Sequence, residues 1–155
     1  MKTVYSYERF YSLLAGFNYS NYSYAELGFA YNQYGINGHE PAAWSCFVSN
    51  EFRMDKKTII GPKIGCWGGG GASAIAMGLN LIYYTDMDNA TLRFRPEIGI
   101  AFDIFKVVYG YNIVLTNNNF PGINTHNFSI ALLFGLKKIK SAAYRSEGGK
   151  MIKVD

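Results

Sequence analysis

Five ionisable residues that lie on the polar face of alternating segments are the best candidates for chemistry in this sequence. Arg93, Arg95 and Glu97 alternate along one segment, so in a β-strand all three side chains leave the same face. Glu26 and Lys63 hold equivalent polar positions in two other segments and are their candidate partners. Two roles are open: a paired network that fixes strand register and seals an interior, or a constriction that binds or passes a small anion. We favour the structural network, because buried charges need partners wherever they occur.

The two cysteines, Cys46 and Cys66, form a second candidate site. If their segments make a hairpin around residues 54–57, the two side chains lie opposite each other on one face. A cross-strand disulfide is then a candidate in an oxidising compartment. We favour two separate thiols that act as small apolar side chains. Two cysteines without adjacent histidines make no zinc site.

Motifs for catalysis or ligand binding are weak. His126 and Ser129 are three residues apart, which puts them on opposite faces of a strand, so they cannot share a proton. The glycines at 68–71 lack the Gly-Lys-Ser/Thr ending of a phosphate loop and indicate a flexible turn. Residues 86–89 are turn-forming rather than a calcium loop. We therefore assign no catalytic residue, metal or cofactor, and expect a protein that is not an enzyme.

The elements that must position these residues are strands. Apolar and polar residues alternate in about eight segments, with turn-forming residues between them. Most segments reach the roughly 9–11 residues that a transmembrane strand needs. One face is bulky and apolar throughout; the other carries Gly, Ala, Ser, Asn and the charges. The sequence thus predicts an all-β fold: a closed antiparallel up-and-down β-barrel with a polar, filled lumen.

Composition and strand ends agree with a membrane barrel. Charged residues make up 17% of the chain, below the roughly 25% of a soluble domain. An aromatic girdle is predicted from tyrosines near strand ends: Tyr19, Tyr24, Tyr31, Tyr83, Tyr84, Tyr109 and Tyr111. We place the barrel domain at residues 9–138 and a polar C-terminal tail at 139–155, where the alternation is lost.

The net charge of +4 does not indicate a nucleic-acid partner, because the basic residues form no concentrated face with interleaved aromatics. No apolar run approaches the roughly 18 residues of a transmembrane helix. Residues 1–9 lack the apolar stretch and cleavage site of a secretory signal. Either the chain is a mature or trimmed form, or the barrel interpretation fails.

Residues 92–100 (LRFRPEIGI), 105–112 (FKVVYGYN) and the ending from 126 to 138 resemble small outer-membrane β-barrel proteins of Bacteroidetes-type bacteria. The resemblance covers roughly residues 10–140 of the alternating segments. It implies a barrel and export. That family has no agreed activity, so the resemblance carries no site residues to this chain.

We therefore expect a monomeric barrel of the bacterial outer membrane, in contact with lipid, with a structural or surface-interaction role and an unidentified surface partner. The alternative is a soluble up-and-down barrel that binds a small apolar ligand. That alternative requires bulky residues such as Leu79, Leu81, Phe94 and Ile98 to point into a cavity.

Overall fold

The computed structural model describes residues 4–55, 58–71, 74–102, 104–147 and 150–154. It consists of ten strands: β1 (Val4–Tyr19), β2 (Ser23–Asn37), β3 (Glu40–Arg53), β4 (Ile60–Gly70), β5 (Ile75–Thr85), β6 (Ala90–Ala101), β7 (Phe105–Tyr111), β8 (Ile113–Val114), β9 (His126–Glu147) and β10 (Lys150–Val154). Within these ranges, no helix is long and apolar enough to cross a membrane.

The strands close into a ring of eight. Each strand from β1 to β7 pairs antiparallel with the next, and β9 pairs with both β7 and β1. β8 continues the course of β7 and pairs with β6; between them, the Asn112 amide donates to the Thr125 carbonyl instead of a ladder partner. The predicted all-β, closed antiparallel up-and-down barrel is confirmed.

Successive side chains alternate between the outside and the inside of the ring. On β5 and β6, Leu79 is 58% and Ile98 50% exposed, whereas Asn80 is 2% and Arg95 1% exposed. Bulky apolar side chains therefore cover the outer wall, and the inward positions carry the polar ones.

The glycine tract predicted as a flexible turn is mostly strand instead. β4 runs through the glycine tract to Gly70, and the turn starts only at Gly71, whose φ is +78°. A Cβ on Gly69 would lie 2.6 Å from the Ile75 carbonyl oxygen, so this glycine permits close strand approach rather than a flexible turn. A short hairpin at Gly38, with φ +69°, joins β2 and β3.

The region predicted as a polar tail is largely strand. β9 remains paired with β1 as far as Val4 opposite Arg145, and β10 then folds back onto β9. Two register shifts in the β1–β9 pair, between Tyr11 and Ser12 and between Arg9 and Phe10, break the period-two pattern there. A β-bulge adds a residue to one strand, so the alternation disappears from the sequence while the pairing continues.

The two ends of the barrel differ. The loop end carries residues 20–22, 54–55, 58–59, 86–89 and 115–125 between strands. At the opposite end, β9 continues beyond the start of β7 together with β1 and β10. We call this end the extension end.

Candidate functional site: the ion-paired lumen

Glu51 lies at the centre of the lumen and is 0% exposed. Its carboxylate accepts hydrogen bonds from Lys63 Nζ at 3.0 Å and from the two terminal nitrogens of Arg95 at 2.8 and 3.3 Å. The Tyr84 hydroxyl also donates to Glu51 and accepts from Arg95. One carboxylate thus bonds to two cations from different strands.

Lys63 extends the network to a second carboxylate. Its Nζ lies 2.9 and 3.0 Å from the two carboxylate oxygens of Glu26. Glu26 also accepts from the Ser49 hydroxyl at 2.6 Å and from the Asn18 amide at 3.0 Å. Three of the five predicted residues, Glu26, Lys63 and Arg95, therefore belong to one hydrogen-bonded group with Glu51 and Tyr84, which we call the lumen network.

The other two predicted residues lie inside the barrel but outside this network. Glu97 accepts from Lys106 Nζ at 2.8 Å and forms a separate ion pair. Arg93 donates from Nε to the Thr91 hydroxyl at 3.1 Å, and no carboxylate lies within 4 Å of it among the described residues.

Sequence reasoning left Glu51 and Lys106 out of the charge network. Both hold inward positions of their segments, two residues from Ser49 and Val108 respectively, and could have been found by extending the alternation. Their pairing could not, since Glu51 and Arg95 meet across the lumen from β3 and β6 rather than in register.

Strand register explains why the cations are needed. Glu26 and Glu51 are direct partners on β2 and β3, and like charges directly opposite each other destabilise a sheet. Lys63 bonds to both carboxylates, and Lys63 and Arg95 together balance their two negative charges. Glycines provide the room: a Cβ on Gly61 would lie 2.6 Å from the Tyr84 ring, and one on Gly110 would lie 2.8 Å from Arg95 Cδ.

Apolar layers cover the charged layer on both sides. Toward the extension end lies a buried cluster of Leu14, Ala30, Phe47, Trp67, Ala76 and Leu133. Toward the loop end lies a second cluster of Tyr24, Ile59, Ile82, Tyr84 and Phe120. The charges are thus separated from both mouths of the barrel, which favours the structural role over an anion constriction.

The loop of residues 115–125 folds over the loop-end mouth. Phe120, 4% exposed, belongs to the apolar cluster toward the loop end. The Tyr24 hydroxyl donates to the Gly122 carbonyl at 2.8 Å, and the backbone N–H of Asn124 donates to the Ser20 hydroxyl at 3.2 Å. The Asn112 side chain holds the same loop by donating to the Asn124 carbonyl at 2.7 Å.

The outer wall is uncharged between its two ends. From Tyr11 on β1 to Tyr83 on β5, the outward strand positions carry a charge at Glu40, the first residue of β3, and polar side chains at Gln33 and Asn50. Bulky apolar side chains at least half exposed on this wall are Leu27, Phe29, Val48, Ile64, Met77, Leu79, Ile98, Phe128, Ile130, Phe134 and Leu136.

Aromatic side chains band this wall at both ends, with one correction to the predicted girdle. Tyr19, Tyr83 and Tyr111 are about half exposed at the loop end, at 52, 49 and 45%. At the extension end, the ring centroid of Tyr31 lies 5.7 Å from that of Tyr11 and 5.5 Å from that of Trp44. Tyr24 and Tyr84, predicted as girdle residues, are instead buried in the lumen at 2 and 1% exposure, because each holds an inward position of its strand.

Cys46 and Cys66 are register partners on β3 and β4 and form a disulfide, with 4.1 Å between their Cα atoms. The candidate disulfide is therefore present, and the favoured interpretation of two separate thiols is not. Both residues lie on the outward side of their strands.

His126 and Ser129 lie on opposite sides of the wall. His126 Nδ1 is 2.6 Å from the Tyr109 hydroxyl on the outside, whereas Ser129 is 3% exposed and donates to Asn18 inside. The two side chains therefore cannot work as a nucleophile and its base. The described residues contain no cluster of His, Cys, Asp and Glu that could hold a metal ion.

Comparisons with known proteins find no relative: no family model, curated protein or solved structure matches the chain. The resemblance to Bacteroidetes-type barrels stays an expectation from the sequence.

Proposed function

We propose that this protein is a bacterial outer-membrane β-barrel with a structural or surface-interaction role, closed to ions and without catalytic activity. The observation that carries the proposal is the inversion of its two faces. Ion pairs fill the inside, and an uncharged apolar wall covers the outside. Membrane strands alternate in this way, apolar toward lipid and polar toward the lumen.

The energetics of the wall support a lipid environment. A soluble monomer rarely exposes a contiguous apolar patch beyond a few hundred Å². Here Leu, Ile, Phe, Val or Met side chains that are 39 to 63% exposed occur on each of the eight strands of the ring. Closure of the ring also pairs the strand edges, and a bilayer offers unpaired backbone groups no water.

The disulfide and the loop lengths support export and an orientation. Disulfides persist in oxidising compartments and are rare in the cytosol. Outer-membrane barrels have short periplasmic turns and longer outer loops. We therefore propose that the loop end, with residues 115–125, faces the exterior and presents any surface-interaction site, and that the extension end faces the periplasm.

The alternative, a soluble carrier of an apolar ligand, needs the bulky side chains inside. Leu79, Leu81 and Ile98 are 58, 40 and 50% exposed on the outer wall, and Phe94 is partly exposed there. The inward space holds the lumen network and two apolar clusters instead. No observation favours the carrier over the membrane barrel.

The proposal is tested by folding the chain into detergent and comparing gel migration with and without boiling. We expect a shift on boiling, because a closed barrel resists dodecyl sulfate until it is heated. Planar-bilayer recordings of the same material should show no steady conductance. A monomer that remains soluble in buffer without detergent, and shows no shift, would contradict the proposal.

A further inference from the structure

The apolar wall ends abruptly on β9 and β1 at the extension end. Leu136 is 60% exposed, and the next residue is Lys137. Lys137 is the register partner of Tyr11, which belongs with Tyr31 and Trp44 to the aromatic band at the extension end. The register then shifts, and Lys140 becomes the partner of Arg9. Bulges re-aim side chains, and here basic residues directly follow the apolar belt on its outward face.

Arg9, Lys137 and Lys140 share this face, which we call the basic band. The Arg9 guanidinium lies 5.0 Å from the centre of the Tyr7 ring, and its Nε donates to Gln33 at 2.8 Å. Lys137 and Lys140 are exposed, and no carboxylate lies within 4 Å of their ammonium groups in the part of the chain that the structure describes.

The nearest acidic side chain does not neutralise the band. Glu8 forms an ion pair with Lys138, and both alternate with the members of the band along their strands. Another acidic residue, Glu40, is the first residue of β3 and lies beside the short hairpin at Gly38.

Tyrosines border the basic band on the side that is farther from the apolar wall. The ring centroids of Tyr5, Tyr7 and Tyr144 lie 5.8 to 6.4 Å apart. Tyrosine rings with an apolar body and a polar tip concentrate at the headgroup level of membranes. The order from Leu136 onward is therefore apolar wall, basic residues and tyrosines, as at a lipid–water boundary.

We propose that the basic band binds the phosphate groups of anionic phospholipids in the leaflet beside the extension end. Ammonium and guanidinium groups donate charge-assisted hydrogen bonds to phosphate oxygens. Lipid is favoured over an anionic cell-wall polymer, because the band is continuous with the apolar wall and lies where headgroups would surround the barrel. The inference rests on the proposed membrane insertion of the barrel.

Trp44 provides a reporter for the test. It is 37% exposed in the aromatic band beside Tyr31, whereas the other tryptophan, Trp67, is 6% exposed inside the lumen. The barrel is folded into phosphatidylcholine vesicles containing brominated phosphatidylglycerol or, separately, brominated phosphatidylcholine. Quenching of Trp44 fluorescence then gives the relative affinity of the two lipids for this part of the wall.

Wild-type protein should prefer phosphatidylglycerol, by up to about fivefold for each basic residue near the surface at low salt. The double variant K137Q/K140Q, which keeps the Glu8–Lys138 ion pair, should lose most of that preference. The matched variant K137R/K140R keeps the charge and should retain the preference. Equal quenching by both lipids in wild type, or a preference unchanged in the Gln variant, would overturn the inference while leaving membrane insertion intact.

Two other outcomes are distinguishable. If neither brominated lipid quenches the fluorescence of Trp44, the proposed function is overturned and the inference with it. Lysine-dependent co-sedimentation with purified peptidoglycan, without any lipid preference, would replace the lipid by a cell-wall partner.

Discussion

Arg95 and Ile98 belong to the same strand, yet their surroundings are opposite. Arg95 is 1% exposed and bonded to Glu51, whereas Ile98 is 50% exposed on the outer wall. In a water-soluble barrel their places would be exchanged, with bulky apolar residues inside and charges outside. The inner face therefore depends on the partners that its charges find inside the lumen, whereas the outer face depends on the match between side chains and solvent.

The largest expected effect comes from breaking the pairing inside. Glu51→Gln leaves Lys63 and Arg95 without their shared carboxylate, and breaking a buried ion pair costs about 3–5 kcal/mol. We expect that loss in the free energy of unfolding, measured by urea titration of the barrel in vesicles.

The matched control is Glu8→Gln at the extension end. Glu8 is also paired with a lysine, Lys138, but both side chains are about half exposed, at 51 and 55%. Exposed ion pairs contribute about 0–1 kcal/mol. Equal losses for the Glu51 and Glu8 variants would mean that the lumen is accessible to water.

The outer face is tested by placing a charge on it. Leu79→Arg should lower the free energy of unfolding in vesicles by about 2–4 kcal/mol, the cost of arginine near the bilayer midplane. Leu136→Arg, at the edge of the apolar wall, should cost about 0–1 kcal/mol. Leu79 and Leu136 are 58 and 60% exposed, so a barrel surrounded by water would tolerate both substitutions alike.

The disulfide adds a constraint that neither face supplies. Cys46 and Cys66 are separated by 20 residues, and closing such a loop typically contributes about 2–4 kcal/mol. We expect Cys46→Ala/Cys66→Ala to unfold at lower urea concentration and to become insensitive to reductant. Wild-type protein whose unfolding midpoint does not change on reduction would contradict this expectation.

The smallest effect is expected at Arg93. It is 4% exposed like the other lumen cations but has no carboxylate within 4 Å in the described ranges. Arg93→Met should therefore change the unfolding free energy by less than about 1 kcal/mol, since no carboxylate is left unpaired and the Thr91 hydroxyl keeps its bond to the Thr116 carbonyl. A loss as large as that of Glu51→Gln would show that burial of the cation, not its pairing, determines stability.

Much of the architecture could be predicted because alternation depends only on neighbouring residues. Leu79, Leu81 and Ile98 lie outside, and Glu26, Lys63 and Arg95 inside, as the alternation predicts. Contacts across the lumen could not be predicted, because they depend on how the tilted strands face each other.

Local irregularities explain the remaining differences. Two bulges hid the course of β9 beyond residue 138, so the sequence predicted a tail. Glycines 69 and 70 look like a turn in sequence but allow strands to approach closely. Tyr24 and Tyr84 were assigned to the girdle by their nearness to strand ends, although the alternation itself places them inside.

Closure of the ring between β1 and β9 has a consequence for biogenesis. β1 precedes β9 in the chain and finds its second neighbour only after β9 has been made, since the two strands pair from Tyr19 opposite Phe128 onward. Until then β1 presents an open edge, and open edges recruit other strands. Assembly is therefore completed late and cooperatively, and a chain shortened before β9 would remain an unclosed sheet in need of a chaperone.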